Sequence, residues 1–231
     1  NQSIMSFTGS FDSASAPQII QSYAAGDNDR CTYLCNKIGR INILMFELLC
    51  IPLLIELDFV LRLWLGKVPD GAYMLTYLNI IVGGMSLTCG GIFNLINATG
   101  RIKWFKVNTS AFFIACIPVG YILFDKGFSA YSILVLFLVA DVLQRGVQLY
   151  LMHRLLGFDS WRYAREAYGR PMVIGIIAAA GFYLHSFLDI ESALESIATI
   201  GATVVLTILL IYGIGLTGDE RAAIKRVLIR K

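Results

Sequence analysis

Long apolar runs alternate with short polar segments along most of the chain. Each run has about 18 to 29 residues, which suits a helix that crosses roughly 30 Å of hydrocarbon with some tilt. The pattern therefore predicts six transmembrane helices, at residues 41–65, 72–99, 107–124, 128–152, 171–188 and 197–216.

The opening stretch, residues 1–29, is more polar than these runs. On a helical period it carries a narrow apolar stripe and, beside it, a stripe of serines. The apolar stripe is Ile4, Phe7, Phe11 and Ala14, and the serine stripe is Ser3, Ser6, Ser10 and Ser13. Such a helix cannot lie against lipid, so the pattern predicts a helix inside a bundle that lines a polar cavity and is kinked at Pro17. An ordinary segment outside the membrane is the alternative.

Composition supports a membrane protein. The 231 residues are 57% hydrophobic and 15% charged, with a mean hydropathy of +0.68, whereas a soluble domain has roughly a quarter of its residues charged. The net charge of +3 is too small and too dispersed to indicate a nucleic-acid partner. The chain begins at Asn1 with no basic region before an apolar core, which predicts no signal peptide and a fragment of a larger protein.

Basic residues alternate between the segments that join the apolar runs. Every second connecting segment has few basic residues: these segments contain only Lys67 and Lys126. Two more basic residues, Arg62 and Arg145, lie within the apolar runs. Fifteen lie in four segments: Arg30, Lys37 and Arg40; Arg101, Lys103 and Lys106; Arg154, Arg162, Arg165 and Arg170; Arg221, Lys225, Arg226, Arg230 and Lys231. The positive-inside rule places these four segments and the C-terminus in the cytoplasm. This alternation requires the opening helix to cross as well, which predicts about seven transmembrane helices in an all-α polytopic membrane protein.

Two segments are predicted to lie on the membrane surface. Residues 158–168 place Trp161, Ala164 and Tyr168 on one helical face, and the tail after Thr217 is a basic helix with acids in its first turn. Solvated helical loops are the alternative for both. The five cysteines are odd in number and have no histidine neighbours, so we expect reduced, structural thiols, and we expect no metal or cofactor.

Ionisable residues inside the spans are the strongest functional signal. Asp141, Gln144, Arg145 and Gln148 cover one face of the run at residues 128–152, beginning near mid-membrane. Charged groups there cost several kcal/mol unless they are paired or hydrated, so they indicate a partner or a water-filled cavity. A structural ion pair between Asp141 and Arg145 and a role in binding a substrate or ion both remain open.

Other polar residues in the runs have local explanations. Asp58 and Arg62 are predicted to form an interfacial ion pair. Glu47 has no basic residue one turn away, which makes it a candidate for ion coupling. A stripe in the run at residues 72–99 that includes Gly83 and Gly90 is predicted to be a helix-packing seam more than a pore lining.

The order of three motifs resembles a known family. These are SFTGSFDSASAPQIIQSYAAGDNDR, then IPLLIELDFVLRLWLGKVPDGAYMLTYL, then NLINATGRIKW. Together with the basic tail, they resemble the bacterial polysaccharide-export flippases of the multidrug/oligosaccharidyl-lipid/polysaccharide superfamily. The resemblance covers essentially the whole chain, and the order of the motifs is more specific than any one of them.

The resemblance implies a two-lobe protein of about 14 helices. Residues 1–152 would be the last five helices of the second lobe, 153–170 a cytoplasmic loop with an interfacial helix, 171–216 two appended transmembrane helices, and 217–231 a basic cytoplasmic tail. The missing N-terminal lobe would be a partner within the same protein. The family resemblance also implies the bacterial cytoplasmic membrane and cavity arginines that hold a pyrophosphate.

The expected function is translocation of a lipid-linked (polyprenyl pyrophosphate) oligosaccharide for surface polysaccharide biosynthesis, by alternating access of a polar cavity between the lobes. Candidate substrate-binding residues are Ser6, Ser10, Asp12, Ser13, Gln144, Arg145 and Gln148. Candidate ion-coupling residues are Asp12, Glu47 and Asp141. A multidrug or cation antiporter of the same superfamily is the first alternative, and an integral-membrane glycan-assembly enzyme is the second. We expect a transporter with membrane lipids around it, not an enzyme.

Overall fold

The computed structural model describes residues 13, 15–87, 89–129, 131–185 and 192–229, and every regular element within them is helical. Two π-helical turns, Ala164–Tyr168 and Ile211–Gly215, lie before α9 and after α10. The helices are α1 (15–24), α2 (Asn28–Ile55), α3 (Leu57–Leu65), α4 (Ala72–Leu87), α5 (Gly90–Thr99), α6 (Ile102–Asp125), α7 (Tyr131–Leu156), α8 (Ser160–Tyr163), α9 (Gly169–His185), α10 (Ala193–Leu210) and α11 (Gly218–Ile229).

Five helical stretches in the described part of the chain are long and apolar enough to cross a membrane. They are Asn28–Ile55, Ile102–Asp125, Tyr131–Leu156, Ser160–His185 and Ala193–Gly215. A bent pair, Ala72–Met85 with Gly90–Thr99, makes a sixth if it is counted as one span. The chain is therefore an all-α polytopic membrane protein, as predicted. The opening helix is described only from residue 13 onward, so the seventh crossing stays a prediction.

The first predicted span, 41–65, is wrong at both ends. The helix begins earlier, at Asn28, because Asp27 caps it: the Asp27 carboxylate accepts a hydrogen bond from the Arg30 backbone N–H at 3.0 Å. It ends at Ile55, three residues after Pro52, which has no N–H to donate to the helix. The segment before residue 41, predicted as a basic loop, consequently forms nearly the first half of α2.

A separate helix, α3, follows at Leu57–Leu65. Its residues Asp58 and Arg62 form the predicted ion pair at 2.9 Å, and both side chains are largely exposed. The phenol of Tyr73 also donates to Asp58. This arrangement confirms the predicted ion pair.

The predicted span at residues 72–99 is broken rather than continuous, with a bend of 41° between its two halves. A close backbone approach lies one residue beyond the predicted glycine stripe, at Gly91, where an added Cβ would lie 2.9 Å from the Cα atom of Cys35. The Cys35 thiol donates to the Gly91 carbonyl at 3.3 Å. Gly91 therefore lets α5 approach the backbone of α2 closely, as small residues do between membrane helices.

Residues 160–168 are helical, and their position at the membrane surface stays a prediction. They run into α9 without a break, as the single apolar stretch Ser160–His185. Trp161 is 81% exposed, whereas Tyr163 and Ala167 on the opposite face are fully buried. Tyr168 does not stay on the Trp161 face, because the π-helical turn changes the helical phase and its ring packs edge-on against Tyr163.

The core lies at the end of the bundle where basic residues concentrate. It joins α1, α2, α5, α6, α7 and the segment around α8. Two of the five cysteines belong to it, and all five are buried, as structural thiols are expected to be. Its buried members are Ile19, Cys31, Cys35, Ile38, Ile92, Leu95, Ile96, Phe105, Met152, Phe158, Tyr163 and Ala167. The predicted opening helix thus packs onto this core through Ile19.

Contacts group the four basic segments at this same end. Arg101 donates to the Leu155 carbonyl at 3.0 Å, Arg170 donates to the Leu216 carbonyl at 2.7 Å, and α2 is joined to the tail by an ion pair described below. At the opposite end, Glu56 and His185 lie 2.8 Å apart. This grouping agrees with the alternation of the basic residues; the side of the membrane each end faces stays a prediction. The tail forms α11, which confirms its predicted helix.

Candidate functional site

The polar face of α7 packs against α6 and the α4–α5 region. Gln144 donates from its side-chain amide to the Thr109 hydroxyl at 2.8 Å, and Asn108 donates to the Gln144 backbone carbonyl at 3.3 Å. The Cys89 thiol donates to the Gln148 side-chain oxygen at 3.6 Å. Both glutamines are buried, so α7 carries amide groups into the interior of the bundle.

Asp141 and Arg145 form an ion pair one helical turn apart. Arg145 Nη2 lies 3.2 Å from Asp141 Oδ1, and the two side chains are only 14% and 11% exposed. Asp141 Oδ2 and Arg145 Nε are buried with no hydrogen-bond partner among the described residues. A buried ion pair is stable only when its remaining polar atoms are satisfied, so this one has capacity for water or a ligand.

These four side chains share one cavity of about 220 Å³. Asp141, Gln144, Arg145 and Gln148 all line it, together with the side chains of Lys106 and Thr109 from α6. The remaining lining is apolar, and the Lys106 ammonium lies 4.8 Å above the ring of one of these residues, Phe93. The arrangement offers two cations, one carboxylate and two amides to a polar, negatively charged ligand with hydroxyl groups.

Two further predicted site residues that the structure describes, Ser13 and Glu47, do not line this cavity. Ser6, Ser10 and Asp12 lie outside the described residues, and Ser13 is exposed. Glu47 lies on α2 facing α9, where its Oε1 would be 3.5 Å from a Cβ added at Gly175. Its Oε2 is buried without a hydrogen-bond partner among the described residues. The ion-coupling candidates Glu47 and Asp141 therefore occupy different places in the bundle.

An apolar cavity of about 520 Å³ lies between α2, α9 and α10. Its walls include Ile51, Ile177, Leu206 and Leu210, and His185 also lines it. The His185 side chain is held by Glu56, 129 positions away. Sequence reasoning missed this pair, because neither residue has its partner within its own helix.

Comparison of the chain with protein-family models, with curated proteins and with solved structures finds no match. The motif resemblance to polysaccharide-export flippases therefore stays a prediction, and the residues of the α7 cavity carry the functional inference.

Proposed function

We propose that this chain forms part of a transporter that moves a lipid-linked oligosaccharide across the cytoplasmic membrane for surface polysaccharide synthesis. The observation that supports this proposal best is the Asp141–Arg145 pair, in which one polar atom of each side chain has no hydrogen-bond partner among the described residues. The pair lines a cavity together with two glutamine amides, inside a membrane-spanning bundle. Apolar transport substrates do not require such groups, whereas a charged glycan carrier does.

The physical problem is to carry sugar hydroxyls and a pyrophosphate through hydrocarbon. Each polar group left without a hydrogen bond costs roughly 2 to 7 kcal/mol, so the path must supply polar partners. Gln144 and Gln148 would donate to and accept from sugar hydroxyls, and Arg145 and Lys106 would contact phosphate oxygens. Arginine suits this role because its guanidinium binds phosphate with two parallel hydrogen bonds.

The apolar cavity between α2, α9 and α10 would hold the lipid part of the substrate. Its walls of isoleucine and leucine match the chemistry of a prenyl chain. We propose that a further lobe, implied by the sequence resemblance, covers the α7 face and that rocking of the two lobes exposes the cavity to each side in turn. The basic end of the bundle would face the cytoplasm of a bacterial cell.

A multidrug or cation antiporter of the same superfamily is the second candidate. The phenylalanines that line the α7 cavity, among them Phe93, Phe105 and Phe113, favour it because aromatic faces bind apolar cations. A glycan-assembly enzyme has less support. Such an enzyme would need paired carboxylates in a sizeable polar loop. The two carboxylates of residues 153–170 have structural roles, since Asp159 caps α8 and Glu166 pairs with Arg162.

The test neutralises the cavity pair with isosteric side chains, as Asp141→Asn with Arg145→Gln in the full-length protein in its host. Removing both charges together leaves no buried unpaired ion, so the membrane level should stay near normal. We expect surface polysaccharide to fall and lipid-linked oligosaccharide to accumulate in the cytoplasmic leaflet. The matched control is Asp58→Asn with Arg62→Gln, which removes an exposed pair of the same spacing and should leave export unchanged.

The alternatives give different results in the same cells. If the chain is an antiporter, the cavity variant will raise drug sensitivity while the surface glycan stays intact. If it is an assembly enzyme, short lipid-linked intermediates will replace the full-length one. Either result would overturn the proposal.

A further inference from the structure

A third cavity, of about 460 Å³, lies at the basic end of the bundle between α2, the π-helical turn before α9 and the start of the tail. Its described lining carries five cations and one carboxylate: Lys37, Arg40, Arg162, Arg165, Arg170 and Glu166. It shares no residue with the α7 cavity, and nothing in the proposed transport step uses it.

Carboxylates neutralise only part of this charge. Arg162 pairs with Glu166 at 2.9 Å, and Arg40 pairs with Glu220 at 2.6 Å. Lys37 and Arg165 make no ion pair with any described residue. Counting Glu220 as well as Glu166 against the five cations leaves a net charge of +3 around this cavity.

The cavity also contains an unused buried donor. Arg40 is only 5% exposed, and its Nε has no hydrogen-bond partner among the described residues. A buried guanidinium N–H without an acceptor is destabilising, because burial removes its hydrogen bond to water and no protein acceptor replaces it. The Asn36 amide donates to Glu166 at 2.6 Å, which holds the one lining carboxylate to the α2 wall.

We propose that this cavity binds a phosphate group, carried either by an anionic lipid of the adjoining leaflet or by a soluble phosphate compound. Arg165 and Arg40 would donate to its oxygens, Lys37 would supply an unpaired positive charge, and the Tyr33 hydroxyl would complete the site. The cavity lies near the start of α2 and of the Ser160–His185 stretch, and we place that end of the two stretches at the level of the lipid headgroups. Basic pockets between membrane helices at that level bind anionic headgroups.

The test titrates the purified full chain in neutral detergent micelles with phosphatidylglycerol or with phosphatidylcholine, and counts bound lipid by native mass spectrometry. The variant Lys37→Gln with Arg165→Gln removes the two unpaired cations and should weaken phosphatidylglycerol binding about tenfold or more. The matched control Lys103→Gln with Arg154→Gln removes one lysine and one arginine exposed at the same end and should change it less than about twofold.

Inorganic phosphate distinguishes the two sources. If millimolar phosphate displaces phosphatidylglycerol from the wild type, the site accepts soluble phosphates; if it does not, the site requires the lipid. The proposal is overturned if phosphatidylglycerol and phosphatidylcholine bind equally and phosphate does not bind, or if the control pair loses as much affinity as the cavity pair.

A second variant keeps the test independent of folding. Glu166→Gln removes the carboxylate that lines the cavity while its neighbours keep their charge, so phosphatidylglycerol should bind severalfold more tightly. Misfolding cannot produce tighter binding. Unchanged or weaker binding to this variant would show that the charge of the cavity does not determine the affinity, and would overturn the proposal.

Discussion

The guanidinium of Arg40 and the carboxylate of Glu220 form an ion pair at 2.6 Å, although 180 positions separate the two residues. Both side chains are buried, with 6% and 8% of their surface exposed. The second oxygen of Glu220 accepts the Thr217 backbone N–H at 2.8 Å, which caps α11. One carboxylate therefore both starts the tail helix and fastens it to α2.

Glu220→Ala should destabilise the protein strongly. It leaves the Arg40 charge buried without its partner, and removing one member of a buried pair costs about 3 kcal/mol or more. The measurement is thermal unfolding of the purified protein in detergent, with Asp219→Ala as the control because Asp219 is exposed in the same helical turn. Equal melting temperatures for the two variants would contradict a structural role for the pair.

The same carboxylate gives a defined pH dependence. Burial raises the pKa of Glu220, but the Thr217 N–H and the charge of Arg40 outweigh burial, so its pKa lies below the ordinary value of 4.5. A lowered pKa contributes stability that is present above pH 4.5 and is lost as the pH falls through the folded-state pKa. Melting temperatures measured from about pH 6 to about pH 3 should fall more steeply for the wild type than for Glu220→Gln. Parallel curves would contradict this prediction.

Gly91→Ala should destabilise the contact between α2 and α5. The added Cβ would lie 2.9 Å from both the Cα and the carbonyl oxygen of Cys35, and backbone atoms cannot move aside as a flexible side chain can. We expect the close contact to lower the free energy of unfolding by about 1 to 3 kcal/mol, whereas the higher helix propensity of alanine raises it by at most about 1 kcal/mol. Gly146→Ala is the matched control, because nothing lies within 4 Å of its Cβ. If both variants unfold at the wild-type temperature, the close approach is absent in solution.

Local features of the fold could be predicted from the sequence because their causes are local. The apolar runs predicted the helices Ile102–Asp125, Tyr131–Leu156 and Ala193–Gly215 as spans. The spacing of four residues predicted the pairs Asp58–Arg62 and Asp141–Arg145, both of which form. Helix ends were harder to predict: the cap at Asp27 extends α2 through a basic stretch that resembles a loop. Hydropathy reports how well a segment dissolves in lipid, so it does not reveal a helix that continues through a polar stretch.

Long-range features could not be predicted from the sequence. The partners of Arg40, Asn36 and Glu56 lie 129 to 180 positions away, and no periodicity connects them. The turn of Tyr168 toward Tyr163 depends on a π-helical turn, and one extra residue rotates the following side chains by about 100°. The α7 cavity was predictable in part, because α7 carries four of its residues, whereas Lys106 and Thr109 come from α6.

Exchanging the cavity charges, as Asp141→Arg with Arg145→Asp, should preserve the protein level but not transport. The exchange rebuilds an ion pair at the same spacing, so folding is retained, but it moves the cation by one helical turn, about 5.4 Å. We expect export of the glycan to fall at least about tenfold if Arg145 contacts the substrate. The exchange Asp58→Arg with Arg62→Asp is the control. Full export by the Asp141–Arg145 exchange would return the pair to a purely structural role.

Glu47 provides the final prediction, which concerns ion coupling. Its side chain lies within α2, a membrane-spanning helix, and one of its oxygens is buried without a described hydrogen-bond partner. A carboxylate in such a place costs several kcal/mol unless a proton or a metal cation neutralises it, which makes it suited to exchange one for the other. Glu47→Gln keeps the shape of the side chain and removes the charge.

Glu47→Gln should therefore leave the melting temperature equal to that of the wild type or above it, because no buried pair is broken. In proteoliposomes, glycan translocation by the full-length wild type should respond to an imposed proton or sodium gradient, and translocation by the variant should not. Asp58→Asn serves as the control, since that carboxylate is exposed and already paired with Arg62. If the variant keeps the full gradient response, Glu47 is not the coupling group. Asp141 in the α7 cavity is then the next of the candidate ion-coupling residues to test.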